Sequence, residues 1–195
     1  MSDLNIEALF ALAAAPPLDC AVDRFYFCRH GQTAGNFSRT FQPPDIALNE
    51  TGRAQAARAG EMLRRVDFRE IFCSDYRRAH ETGLTIAEVT GKPLTLHEGL
   101  RERFFGDFIG TSSVNLDWAA HPPNGESLEQ FVVRTKAALA EILGAAGEPP
   151  LIVAHGGTLR VLVAALGATV EEEARQNATP LSIERGPDGW NISLL

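Results

Sequence analysis

Two short apolar segments, each followed directly by a His-Gly pair, constrain the fold of this chain most. Residues 25–28 precede Arg29-His30-Gly31, and residues 151–154 precede His155-Gly156-Gly157. Short apolar runs that end at glycine are typical of buried strands. In open α/β sheets, ligands bind outside the carboxyl ends of the strands. Both His-Gly pairs therefore fall where such a sheet would bind its ligand.

Strand and helix patterns alternate along the rest of the chain. The pattern predicts further short strands at residues 71–73 and 94–96. It also predicts a terminal hairpin over residues 180–195, around a Gly-Pro-Asp-Gly turn. Helical spacing of apolar residues covers 51–65, 77–89, 127–143 and 158–166. This alternation predicts an α/β fold, a three-layer sandwich with a mostly parallel central sheet flanked by helices.

Length and charge limit the organisation and the partners. At 195 residues and 21.1 kDa, the chain is close to the size of one domain. We expect an N-terminal arm or short helix over 1–22 and a single catalytic domain over 23–195, with the Ala-rich arm as a candidate contact in a homo-oligomer. A net charge of −7 disfavours nucleic acid as a partner. Any anionic ligand must then meet a local cluster of positive groups.

Cysteine usage and the N-terminal residues predict a cytoplasmic location. The three cysteines, Cys20, Cys28 and Cys73, form no CxxC pair, so a disulfide framework or structural zinc site is not expected. Asp3 and Glu7 precede an apolar run over 8–18, where a secretory signal would carry positive charge. The run is also shorter than the ~20 residues that span a bilayer. We therefore expect no membrane partner.

The segment Arg29-His30-Gly31-Gln32-Thr33, with Asn36 three residues on, is the most informative motif. It places a cation beside an imidazole whose ordinary pKa is about 6.5, so that the neutral ring is available at neutral pH as a nucleophile or proton carrier. Taken alone, the His30 dipeptide fits a structural or proton-carrying histidine better than a nucleophile.

Four further segments change that interpretation. They are Ser74 with Arg78, Ala79 and Thr82; Leu100-Arg101-Glu102 with Gly106; Gly125-Glu126-Ser127; and Ala154-His155-Gly156-Gly157. Together with the first motif, in this order, they resemble the histidine phosphatase superfamily, which contains the cofactor-dependent phosphoglycerate mutases and many small phosphatases. The resemblance runs from about Phe25 to Gly157 and implies a phosphoglycerate mutase-like fold.

The resemblance also implies roles for individual residues. His30 would attack phosphorus to form a phosphohistidine, and Glu102 would protonate the leaving oxygen and then activate water. Arg29 and Arg78 can clamp the equatorial phosphate oxygens, and His155 can donate to one of them. The predicted substrate-binding residues are Arg29, Thr33, Asn36, Arg78, His155 and Gly156. No metal ion and no cofactor are expected.

Each of these residues has a structural alternative. Arg78 and Arg77 could both be solvated helix charges, and Glu102 could form a surface ion pair with a neighbouring arginine. His155 could be a packed residue at a strand end. Thr33 and Asn36 could support the loop as readily as they could contact the ligand.

Two features of the sequence bear on substrate and reaction. Pro43 stands where the superfamily pattern continues with glycine, and the segment between Gly106 and Gly125 is short. A short, open lid admits water, which diverts a phosphohistidine to hydrolysis. We therefore predict a metal-independent phosphomonoesterase for a small phosphorylated metabolite. The alternatives are a primer-dependent phosphomutase and a noncatalytic module that binds a phosphorylated ligand. Aromatic residues expected near the lid are Phe37, Phe104, Phe105, Phe108 and Trp118.

Overall fold

Six strands form one mixed sheet in the computed structural model of the chain, which describes residues 4–195. In spatial order the strands are β3, β2, β4, β1, β5 and β6. The first four of these run parallel, and β5 and β6 form an antiparallel hairpin whose β5 pairs with β1. The strand bounds are β1 Arg24–Arg29, β2 Ile71–Cys73, β3 Leu94–Leu96, β4 Leu151–Ala154, β5 Pro180–Gly186 and β6 Gly189–Leu194.

Helices cover both faces of this sheet. Their bounds are α1 Ile6–Ala14, α2 Ala34–Ser38, α3 Glu50–Leu63, α4 Arg77–Thr90, α5 Leu128–Ala145 and α6 Gly156–Ala165. Phe25 and Phe27 of β1 point into a core shared with α1, α5 and α6. Tyr26 and Cys28, one residue out of phase, point into a second core with α3 and α4. This alternation follows from the two-residue period of a strand, and it confirms the predicted three-layer α/β architecture.

The pairing of β1 with β4 brings the two His-Gly pairs together. The two strands are parallel neighbours in which Arg29 lies opposite Ala154. The next residue along each strand is a histidine, so His30 and His155 leave the sheet side by side. Strand β2 lies on the other side of β4, which places Ser74 beside His155.

The N-terminal arm contains a helix that is packed into the domain. In α1, Leu9 and Ala13 have no exposed surface, and both belong to the core beneath α5 and α6. Within residues 4–195, no helix combines the length and the apolar character needed to cross a membrane.

We predict that Leu9→Ala destabilises the whole domain. Removing a fully buried leucine side chain leaves a cavity and costs about 2–5 kcal/mol. Leu12 lies on the same helix but is 42% exposed, so Leu12→Ala is the matched control and should cost less than about 1 kcal/mol. Urea unfolding followed by circular dichroism measures both values. Equal losses in the two variants would contradict the packing of α1.

Candidate active site

His30 is held in one tautomer by its hydrogen bonds. Its Nδ1 lies 2.7 Å from the carbonyl oxygen of Gly31, and a carbonyl can only accept, so the proton is on Nδ1. Nε2 therefore carries the lone pair, and it accepts a hydrogen bond from Nε of Arg78 at 3.3 Å. The ring is buried, but it lines an open cavity. His30 thus presents the unprotonated nitrogen that a nucleophile requires.

Burial and neighbouring arginines keep both histidines neutral. Desolvation, and then the charges of Arg78 and Arg29, hold the pKa of His30 well below its ordinary value of 6.5. Desolvation is also the largest cause of the lowered pKa of His155, followed by the charge of Arg78. A neutral imidazole has a free lone pair at physiological pH, whereas an imidazolium does not.

His155 lies directly behind His30. The centroids of the two rings are 5.2 Å apart, and Nε2 of His155 lies 2.8 Å from the Ser74 hydroxyl. Its Nδ1 is buried and has no hydrogen-bond partner among residues 4–195. His155 is not among the described residues that line the open cavity.

Arg78 is the buried arginine of the Arg77-Arg78 pair. It is 3% exposed, and its Nη1 donates to the carbonyl oxygen of Pro43 at 3.1 Å. The proline that departs from the superfamily pattern therefore holds Arg78 through its backbone oxygen. Burial lowers the pKa of Arg78 to about 10, so the guanidinium stays charged at neutral pH. Arg77, in contrast, points outward and pairs with Glu81 at 2.7 Å.

Arg29 supplies the second guanidinium at the cavity. Its Nη1 donates to the backbone carbonyl of Arg175 at 2.9 Å. Its Nε is buried and has no hydrogen-bond partner among the residues that the structure describes. A buried donor without a partner is rare in native structures and suits a site that awaits an acceptor.

Glu102 is oriented by the first turn of α6. Its Oε2 accepts a hydrogen bond from the backbone N–H of Gly157 at 2.9 Å, and its Oε1 accepts one from the N–H of Arg103 at 3.0 Å. A Cβ at position 157 would overlap the Glu102 carboxylate, so the second glycine of the His-Gly-Gly motif makes room for it. The structure thus places Glu102 in the cavity with His30 and not in a surface ion pair.

The two remaining motif residues differ in their contacts. Asn36 lines the cavity, whereas Thr33 has no exposed surface. The Thr33 hydroxyl caps α2 by accepting from the N–H of Asn36 and lies 2.6 Å from Oε1 of Gln42. These contacts favour the loop-supporting alternative for Thr33 and a ligand-facing position for Asn36.

The cavity has a volume of about 200 Å³ and a strongly cationic lining. Among the lining residues that the structure describes, Glu102 is the only one with a carboxylate. Its wall also includes Phe105 and Trp118, two of the aromatic residues expected near the lid, whereas Phe37 is 81% exposed. The described lining residues are Arg29, His30, Asn36, Thr40, Phe41, Gln42, Arg78, Glu102, Arg103, Phe105, Ser113, Leu116, Trp118, Gly156, Gly157 and Arg160.

Sequence reasoning missed two residues of the site. The Asn177 side-chain amide donates to the carbonyl oxygen of His30 at 2.8 Å, and no motif signals it because it lies in a connection far along the chain. Arg160 lines the cavity with its guanidinium 5.6 Å from the centre of the Trp118 ring. It follows Gly156 by one helical turn, so the helical spacing could have indicated it.

Within residues 4–195, no group of three or more His, Cys, Asp or Glu side chains is arranged to hold a metal ion. The charged groups around the cavity instead suit an anion. Arg29 and Arg78 flank His30, and the N-terminus of α6, which attracts negative charge, opens at Gly156.

Comparison with known proteins assigns the family. Residues 25–195 match the model of the histidine phosphatase superfamily, branch 1. The chain therefore belongs to this superfamily, as its five motifs predict.

Three individual proteins differ in how much of their length is similar to this chain. An agropine synthesis reductase from Rhizobium rhizogenes is 34% identical over 89% of this chain, but the match spans only 42% of that longer protein. A putative phosphoserine phosphatase 2 from Hydrogenobacter thermophilus is 36% identical, over 73% of this chain and 78% of the relative. The solved mycobacterial glucosyl-3-phosphoglycerate phosphatase, in complex with VO3, superimposes with a TM-score of 0.71 and 29% identity. That superposition covers 89% of this chain and 97% of the other.

We predict that the His30 ring remains neutral well below pH 6.5, because its pKa is lowered by burial and by two arginines. In a proton NMR titration from pH 8 to 5, the ring resonance of His30 should stay at the position of the neutral form. The variant His30→Gln, which lacks this resonance, assigns the signal.

The same shift in pKa predicts a dependence of stability on pH. In the unfolded chain the His30 ring takes up a proton near pH 6.5. The free energy of unfolding should therefore fall as the pH drops below 6.5. If the His30 ring of the folded protein titrated in the NMR experiment with a midpoint at or above pH 6.5, its pKa would not be lowered by burial and the prediction would be wrong.

Proposed function

We propose that this chain hydrolyses small phosphomonoesters, without a metal ion, through a phosphohistidine formed at Nε2 of His30. The observation that carries the proposal is a pair of buried nitrogens, Arg29 Nε and His155 Nδ1, that have no hydrogen-bond partner in the described part of the chain. They belong to residues beside His30, whose Nε2 is unprotonated. If the Ser74 hydroxyl donates to Nε2 of His155, the ring proton lies on Nδ1 and both nitrogens are donors. A phosphate group would satisfy both.

The chemistry then runs in two balanced steps. In the first, the Nε2 lone pair of His30 attacks phosphorus, the ester P–O bond breaks, and Glu102 gives its proton to the leaving oxygen. In the second, water attacks phosphorus, its proton goes to Glu102, and the P–N bond breaks to release phosphate. Arg29 and Arg78 stabilise the charge on the equatorial oxygens in both steps.

Hydrolysis is favoured over transfer to a second substrate. The segment between Gly106 and Gly125 is short and contributes Ser113, Leu116 and Trp118 to the cavity wall. We infer that so short a segment admits water, which consumes the phosphohistidine. Relatives named as phosphoserine phosphatase and glucosyl-3-phosphoglycerate phosphatase support a small phosphorylated metabolite as substrate. The chain spans less than half of the agropine synthesis reductase that it also resembles. The phosphatase activity is proposed for the chain itself and not for that longer protein.

The first test is phosphate release from 4-nitrophenyl phosphate in excess EDTA. We expect the native chain to turn over, and His30→Ala to lose roughly 10³-fold or more in kcat while keeping its circular dichroism spectrum. An acid-labile, base-stable phosphoprotein should be trapped from the native chain only. Full activity in His30→Ala would refute the phosphohistidine, activity abolished by EDTA would point to a metal, and isomerisation with a bisphosphorylated primer would identify a mutase.

The adjacent arginines provide a matched pair of variants. Arg78→Ala removes a buried guanidinium beside His30 and should lower kcat/KM by about 10²–10³-fold, as loss of one preorganised transition-state donor does. Arg77→Ala removes an exposed partner of Glu81 and should change kcat/KM less than about threefold. Steady-state kinetics with 4-nitrophenyl phosphate compares them. The opposite ranking would show that Arg77, and not Arg78, binds the phosphate.

A further inference from the structure

A second cavity lies beside the catalytic one, outside the five motifs. We call it the α1–α6 groove: it has a volume of about 410 Å³ and lies between α1, the outer side of α6 and residues 168–175. Its walls are largely apolar, with Ile6 and Phe10 from α1, Leu159 and Val163 from α6, and Val170 from the following loop. Helix α1 precedes the part of the chain that matches the superfamily model, so this groove depends on a segment outside that model.

The groove adjoins the catalytic cavity. Gly156 and Arg160 line both spaces, so the two spaces are neighbours. The catalytic cavity, at about 200 Å³, is smaller than the roughly 300–1,000 Å³ of most small-molecule sites. It can hold a phosphate group but leaves little room for a large alcohol.

Two arginines connect the spaces. The guanidinium of Arg160 lies over Trp118, which lines the catalytic cavity only. Arg160 also lines the groove, and long cationic side chains commonly lay their aliphatic part along apolar surfaces. On the outer rim, Arg175 lines the groove and its carbonyl oxygen accepts the hydrogen bond from Arg29. The groove wall and the phosphate-binding arginine are thus directly joined.

We infer that the α1–α6 groove binds the apolar part of the substrate's alcohol, so that the preferred substrates are phosphomonoesters of alkyl or aryl alcohols. This inference rests on the proposed phosphatase function for the position of the phosphate group. The described residues that line the groove include two arginines and no carboxylate. The other apolar space next to the site, lined by Phe41, Phe105 and Phe108, has the acidic residue Asp117 among its described lining residues.

The test compares the binding of two phosphonates that cannot be hydrolysed, methylphosphonate and hexylphosphonate, by titration calorimetry. The native chain should bind the hexyl compound roughly tenfold or more tightly than the methyl compound, because added methylenes leave water. Phe10→Ala should reduce this preference by at least about threefold, and Thr169→Trp, which places a large side chain in the groove, should abolish it. Leu12→Ala, an exposed change on the same helix, should leave it intact.

Three results would overturn the inference. One is equal affinity of the native chain for both phosphonates. Another is a preference for hexylphosphonate that Phe108→Ala removes and Phe10→Ala does not. The alcohol would then lie in the space lined by Phe41, Phe105 and Phe108. The third is a dimer, detected by light scattering, that Phe10→Ala dissociates, since a second copy of the chain would then cover the groove.

Turnover of 4-nitrophenyl phosphate, measured on the same samples, separates this inference from the proposed function. Turnover of 4-nitrophenyl phosphate without any preference for the longer phosphonate would refute only the inference that the α1–α6 groove binds the alcohol. A preference for the longer phosphonate without turnover would support the role of the groove and refute the proposed phosphatase activity.

Discussion

The parallel pairing of β1 with β4 is the interaction on which the rest of the site depends. Because Arg29 lies opposite Ala154, the residues that follow the two strands meet at one sheet edge. A shift of one residue in this register would move the side chains of a strand to the opposite face. It would separate His30 from His155 and disrupt both cores, since Phe25 and Tyr26 pack on opposite sides of the sheet. The same pairing therefore builds the core and assembles the site.

Close backbone packing completes this edge. A Cβ at Gly31 would overlap the backbone of Gly52, and a Cβ at Gly52 would overlap that of Gln32. The loop after β1 thus lies directly against the first turn of α3, which only glycine permits at these positions. This contact, with the hydrogen bond from the N–H of Gly31 to the Thr82 hydroxyl at 3.0 Å, fixes the backbone on which His30 is carried.

Electrostatics at the site combine two opposed requirements. The proposed reaction needs arginines that remain charged to attract an anion and histidines that remain neutral to attack or donate. Burial lowers the pKa of both kinds of group, but from very different starting values. Arg78, even with its pKa lowered to about 10, stays cationic at neutral pH, while His30 becomes more firmly neutral. One buried environment therefore serves both residues.

In the sequence, apolar runs that end at glycine and helical spacing predicted the α/β layers and the strands that carry the site, because these are local patterns. The candidate residues Arg29, His30, Arg78, Glu102 and His155 were identified through short motifs that resemble those of the superfamily. What each residue contacts became known from the tertiary structure. Asn177 and Pro43 reach the site through contacts between segments distant in the chain. The packing of α1 beside α6 likewise depends on contacts across more than 140 residues. Such long-range contacts leave no periodic pattern in the sequence, because any residue of suitable shape and polarity can make them.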